Sequence, residues 1–223
     1  MLKPATIQFL KELKKNNHKP WFDAHRKNYE AAKADFAAFI QQVIDLHGRK
    51  DPGISGLLAK DCMFRINRDT RFSKDKSPYK TNFGASINKG GRKAWNSAGY
   101  YFHFEPGGCF AGGGIYMPDP DTLRKIRQEI DYNLPAFKKI VTAKKFSSVY
   151  GALDTSSEHM LSRVPKGYEP ENPAAPFLRM KSYIAMVKIS DKNLGTTQLV
   201  KQTAAAFEAL QPLIEFINNG IAE

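Results

Sequence analysis

Two adjoining stretches, Gly99 to Glu105 and Cys109 to Met117, constrain the fold most, because they alternate with period two around a Pro106-Gly107-Gly108 turn. In the first, Tyr100, Phe102 and Phe104 share one face while Tyr101, His103 and Glu105 share the other. An antiparallel hairpin with one apolar and one polar face is therefore predicted. Its second strand carries the run Gly112-Gly113-Gly114. Three glycines weaken a strand, so they mark a bulge or a close approach of backbone or ligand, and a bulge is the simpler expectation. No GxxxxGK[ST] or GxGxxG phosphate loop is present.

Helical patterns flank this hairpin on both sides. A short amphipathic helix is predicted from Pro4 to about Asn16, then a longer one from Pro20 to about Leu46. The buried stripe of the longer helix is Phe22, Tyr29, Ala32, Phe36, Phe39, Ile40 and Val43. Arg26 falls inside that stripe, where a lone charge is costly, so it must snorkel, pair with a carboxylate or face a ligand. Cys62 to Asn67 and Tyr79 to Asn88 are predicted strands, joined by an irregular loop. Asp119 caps a helix that starts at Pro120 and buries Leu123, Ile126 and Ile130. A further helix runs from about Leu134 to Ala143, and an irregular excursion fills Thr155 to Arg179. A strand at Lys181 to Ile189 then precedes a final helix with the stripe Leu199, Thr203, Phe207, Leu210, Leu213 or Ile214, and Ile217. Helices first, strands mainly in the middle and helices last predict an α+β fold. The expected architecture is an antiparallel or mixed sheet of four to five strands covered by N-terminal and C-terminal helices, in one domain over 1–223.

No stretch is apolar enough to span a membrane, and the N-terminus has no signal-peptide core, so a cytoplasmic protein with no membrane partner is expected. The two cysteines, Cys62 and Cys109, are too few and too far apart for a disulfide framework or a zinc motif. Five histidines form no HxH or HExxH pair, so no metal site is predicted. No GxSxG elbow occurs and neither cysteine lies beside a histidine, so no catalytic residue is assigned, and whether the protein is an enzyme stays open.

The net charge is +12, and +11 of it lies in the first hundred residues. Its densest part is Arg65 to Lys93, with nine basic and two acidic residues. Here Arg65, Arg68, Arg71, Lys76 and Lys80 alternate with Asp69, hydroxyls and Tyr79. Arginine's planar fork suits phosphate or carboxylate, with lysine as a mobile point charge. If Cys62 to Asn67 is a strand, Arg65 and Asn67 join Tyr101, His103 and Glu105 on one polar sheet face. Such a convergence is a candidate site, although a solvated sheet face would look the same.

The run RINRDTRFSKDKSPYKT, Arg65 to Thr81, resembles the family catalogued as domain of unknown function 2461. WFDAHRKNYE at Trp21, GGGIYMP at Gly112 and LRKIRQEI at Leu123 extend the resemblance from about Phe9 to the C-terminus. It implies no substrate, cofactor or catalytic residue, but it singles out Arg26, Tyr79, Tyr116 and Arg127 beside the central motif. The first functional expectation is a small anionic ligand held by Arg65, Arg68, Arg71 and Lys80, with Arg26 and Arg127 in support. The second is nucleic acid, with Arg65 to Lys93 tracking phosphates and aromatic rings stacking on bases. In the third, the motif is an intramolecular clasp whose charges pair within the fold.

Overall fold

The computed structural model describes residues 1–222. Glu223, the last residue of the expected domain, lies outside the described residues. Four strands, β1 (Phe83–Ile87), β2 (Gly99–Phe104), β3 (Phe110–Ile115) and β4 (Tyr183–Lys188), form one antiparallel sheet in the order β1-β2-β3-β4. Helices flank it, so the fold is α+β. The described chain divides into two compact units, each made of three separate stretches. Unit 1 comprises Met1–Arg92, Tyr101–Ala111 and Lys188–Ala205, and unit 2 comprises Lys93–Tyr100, Gly112–Val187 and Ala206–Glu223.

Unit 1 begins with α1 (Pro4–Lys15), which buries Thr6, Phe9, Leu10 and Leu13. The predicted second helix is in fact two, α2 (Lys19–Ala24) and α3 (Arg26–His47), separated at His25. The cause is local. The Trp21 carbonyl accepts from both the His25 backbone N–H (3.0 Å) and His25 Nδ1 (2.8 Å), while the imidazole stacks on Trp21. A side chain that bonds the neighbouring backbone competes with the regular ladder. The stripe itself is buried as expected, with Phe36 and Phe39 fully inside against Phe83, Phe102 and Phe104.

The strand expected at Cys62 to Asn67 does not form. Gln41, on α3, accepts from the Ala59 N–H (2.9 Å) and donates to the Leu57 carbonyl (3.1 Å), and the chain winds there into the short α4 (Ala59–Cys62). Beyond α4 the chain pairs through isolated bridges, Met63 with Ala85 and Asn67 with Tyr79. Ile66 turns inward while Phe64 and Arg65 stay exposed, so the expected alternation of Phe64 with Arg65 is lost. The hairpin turn is as predicted. Gly107 adopts φ 87° and its N–H donates to the Asp191 carboxylate (2.9 Å), from α9 (Asp191–Leu194).

In unit 2, Asp119 caps α5 (Pro120–Tyr132) by accepting from the N–H groups of Asp121 and Thr122. Then come α6 (Leu134–Val141), α7 (Lys144–Tyr150) and the short α8 (Ala175–Leu178), the last inside the expected irregular stretch. The glycine run answers to backbone proximity. A Cβ at Gly112 or Gly114 would collide with the β4 backbone at Ala185 or Tyr183, and one at Gly113 with the Gly99 carbonyl. Finally α10 (Gln198–Ala222), whose first turns to Ala205 belong to unit 1, buries its predicted stripe from Leu199 to Ile217.

Candidate functional site

The arginine-rich loop is closed by its own charges. Arg68 donates to Asp75 and to Ser73 (3.3 Å). Arg71 grips Asp69 with two nitrogens, Nε at 3.0 Å and Nη2 at 2.7 Å, and Lys76 Nζ donates to the Thr70 carbonyl (2.9 Å). Asp75 also accepts from the Ser77 hydroxyl and N–H, which together with Arg68 hold its carboxyl well below the usual range. Hydrogen bonds from Arg71 also lower the pKa of Asp69. Three of the cations expected to meet a ligand are thus engaged inside the loop, as the clasp reading anticipates. Phe72 stands at the tip, 93 % exposed, with the Arg71 guanidinium 5.6 Å from its ring centre.

The loop is anchored at Tyr79. Its ring is buried and stacks on Phe22 at 3.9 Å. Asn17 grips its backbone, accepting from the N–H (3.1 Å) and donating to the carbonyl (2.9 Å). The next residue, Lys80, lies over the Phe64 ring, and burial, with repulsion from Arg65, lowers its ammonium pKa.

Phe64 and Arg65 face an open groove on α3, with a volume of about 440 Å³. Lys33, Lys60, Arg65 and Arg92 line it, and Glu30 is the one carboxylate among its lining residues. Tyr29, Ala34 and Ala37 also line it. Lys33 lies 3.9 Å from Glu30, while Arg92 is fixed by donating from Nη1 to the Lys60 and Asp61 carbonyls (3.1 and 3.2 Å). Four cations and one carboxylate thus line the same depression.

Tyr101, His103 and Glu105 are linked along β2 as expected, but Phe64 rather than Arg65 packs beside Tyr101, edge-on at 6.3 Å, and Asn67 pairs with Tyr79. Tyr101 Oη (3.2 Å) and Asn82 Nδ2 (3.4 Å) both donate to His103 Nδ1, which places the imidazole proton on Nε2, facing Glu105 at 3.5 Å. Glu105 accepts from Lys14 (3.1 Å) and Thr81 (3.1 Å). Burial lowers the His103 pKa despite Glu105, and pushes the Tyr101 phenol up to about 12. Burial raises the Glu105 pKa, but bonds from Lys14, His103 and Thr81 outweigh it and leave the carboxyl below its ordinary value. The array can orient a neutral imidazole. Gly84 makes room for it, since a Cβ there would lie 2.6 Å from Tyr101 Oη.

The profile of a family described as conserved hypothetical protein (DUF2461) matches residues 5–216, nearly the whole chain. The chain belongs to this family. No curated protein and no solved structure gives a significant match. In this DUF2461 member the remaining predicted residues have separate settings. Arg26 is exposed, 3.7 Å from Asp23 and over the Phe22 ring, so it leaves the stripe and takes the carboxylate. Arg127, in unit 2, donates to the Met180 carbonyl (3.0 Å), a structural tie beside Tyr183. Tyr116, also in unit 2, is exposed and meets the edge of His159, whose Nδ1 donates to Asp154 (2.9 Å). Among the described residues no group of three or more potential ligands could hold a metal ion, and no helix is long and apolar enough to cross a membrane. Sequence reasoning missed Lys33 and Lys60, and had Arg92 only as part of the basic segment Arg65 to Lys93. The available signal was Glu30, Lys33, Ala34 and Ala37 at helical spacing, a polar face whose small residues leave space.

Proposed function

We propose that unit 1 binds the anionic group of a ligand, phosphate or carboxylate, in the groove between Lys33, Lys60, Arg65 and Arg92. The observation that carries this reading is the charge imbalance of the groove, four cations to one carboxylate in a single depression. A bound anion would neutralise part of that excess, and arginine would supply paired donors. In this reading the Arg68–Asp75 and Arg71–Asp69 pairs hold the motif in shape rather than touching the ligand. Lys80 adds charge at the Phe64 side. The reading includes a cytoplasmic setting, which the two free, buried thiols suit.

The test is thermal stability against phosphate, pyrophosphate and citrate at fixed ionic strength, for the wild type, Arg65→Ala and Lys60→Ala. A ligand at a hundred times its dissociation constant stabilises by about 2.7 kcal/mol. For a chain of this size that corresponds to a rise of roughly 5–10 °C. The rise is expected in the wild type and lost in both variants. No rise with any of the three anions, or an equal rise in Arg65→Ala, refutes the groove.

A further inference from the structure

We propose that the anion held by unit 1 is the backbone of a single-stranded nucleic acid, with one of its bases stacked on Phe72. This rests on the anionic groove and adds what kind of molecule presents the anion.

Phe72 is the observation that demands an occupant. At 93 % exposure it is the most exposed of the large apolar side chains among the described residues. The loop that carries it is not slack. Arg68 ties to Asp75 and Ser73, Arg71 to Asp69, Lys76 to the Thr70 carbonyl, and Asp75 to Ser77. The ring is therefore presented on a pre-organised loop, which lowers the ordering cost of any partner it meets. Arg71 supports it from 5.6 Å, and is itself clamped by Asp69.

Size and charge decide the class of partner. A phenylalanine buries about 150–250 Å², far below the ~800 Å² per side of an ordinary protein interface. One ring is also a slight anchor for a lipid surface. It does suffice for one stacked base, an interaction that tolerates any sequence because every base has a flat face. The surroundings favour a polyanion. Arg65 to Lys93 carries nine basic and two acidic residues, and the groove at Arg65 begins only seven residues before Phe72. Proteins that bind single strands combine these two elements, a cationic track and an aromatic platform. Asp69 and Asp75 do not oppose this, because their charges are spent on Arg71 and Arg68.

The experiment is fluorescence anisotropy with a labelled twelve-nucleotide oligothymidylate and an abasic deoxyribose-phosphate chain of equal length. Both are titrated with the wild type, Phe72→Ala and the double variant Lys60→Ala/Arg65→Ala, at two salt concentrations. Circular dichroism verifies that the variants are folded. One stacked base is worth about 1–3 kcal/mol, so the wild type should prefer oligothymidylate by roughly 5- to 150-fold. Phe72→Ala should bind both chains alike, at the affinity of the wild type for the abasic chain. The double variant should bind both more weakly, with a salt slope flatter by up to about 1.4. Equal wild-type affinity for the two chains, or a preference that survives in Phe72→Ala, overturns the inference. So does Phe72-dependent binding to anionic vesicles without binding to either chain. If pyrophosphate stabilises the wild type and not Arg65→Ala while neither chain binds, the groove stands and this inference fails. If pyrophosphate and both chains fail together, both readings fall.

Discussion

Replacing Asn17 by alanine removes a side chain that both donates to and accepts from the Tyr79 backbone, at 2.9 and 3.1 Å. Both bonds are part-buried, and Tyr79 is the point at which the charged loop rejoins the core. A typical internal hydrogen bond contributes about 0.5–1.5 kcal/mol, so losing the pair should cost about 1–3 kcal/mol. With roughly 2–4 °C per kcal/mol for a chain of this length, a central loss of about 2 kcal/mol lowers the melting temperature by roughly 4–8 °C. Urea denaturation should show a lower midpoint with an unchanged slope, because the exposed area on unfolding stays the same. Gln8→Ala is the control. Its amide bonds to Glu12 on the solvent side of α1, and such surface changes stay within about 0.5 kcal/mol. Because Lys80 follows Tyr79 directly, Asn17→Ala should also weaken binding of pyrophosphate. If Asn17→Ala costs no more than Gln8→Ala, Tyr79 is not an anchor and the argument fails.

Three further outcomes are expected. Burial depresses the His103 pKa, so the unfolded chain takes up that proton first. This contribution to stability is complete above the ordinary value near 6.5 and is lost as pH falls through the folded value. Urea midpoints from pH 7.5 to 5 should fall in the wild type and fall less in His103→Gln, and parallel curves would remove His103 from the explanation. Gly114 has φ 109° with the Tyr183 carbonyl beside it, so Gly114→Ala should cost roughly 2–5 kcal/mol. Gly108→Ala, whose nearest neighbour would be 3.8 Å away, should be close to neutral in the same melting assay. Asp75→Ala, which also removes the acceptor of Ser77, should lower the melting temperature more than Arg68→Ala, and the double variant should lower it by less than the sum of the two. Additive losses would mean the two side chains do not act as a pair.

The hairpin, the capped start of α5 and the stripe of α10 were legible in the sequence because each depends on neighbours within a few residues. Alternation at Tyr100, Phe102 and Phe104 needs only the pleat, and Asp119 needs only the first turn of its own helix. The break at His25 was not legible, because it requires an imidazole to reach back to one carbonyl. The course of Cys62 to Asn67 was not legible either, since Gln41, about eighteen residues earlier, winds Ala59–Cys62 into a turn. Past that contact the chain meets Gly84 and Ala85 through Phe64 and Met63, and both Phe64 and Arg65 stay exposed. Cationic richness was plain in the motif, yet which charges pair was not. Arg68 and Arg71 found carboxylates inside the loop, whereas the groove draws Lys33, Lys60, Arg65 and Arg92 from separate stretches.

The discontinuity of unit 1 has a consequence for synthesis. The Leu2 N–H donates to the Leu194 carbonyl (2.8 Å), and residues 188–205 complete a unit whose first stretch ends at Arg92. From residue 93 to residue 205 the ribosome adds 113 residues. At roughly 5–20 residues per second, about 6–23 s pass before the unit is whole. During that interval the Leu2 N–H lacks the Leu194 carbonyl, and the turn at Gly107 lacks Asp191. The first stretch of unit 1 therefore waits those seconds for the segment that completes it, and a slowly translated stretch between Arg92 and Lys188 would lengthen the wait.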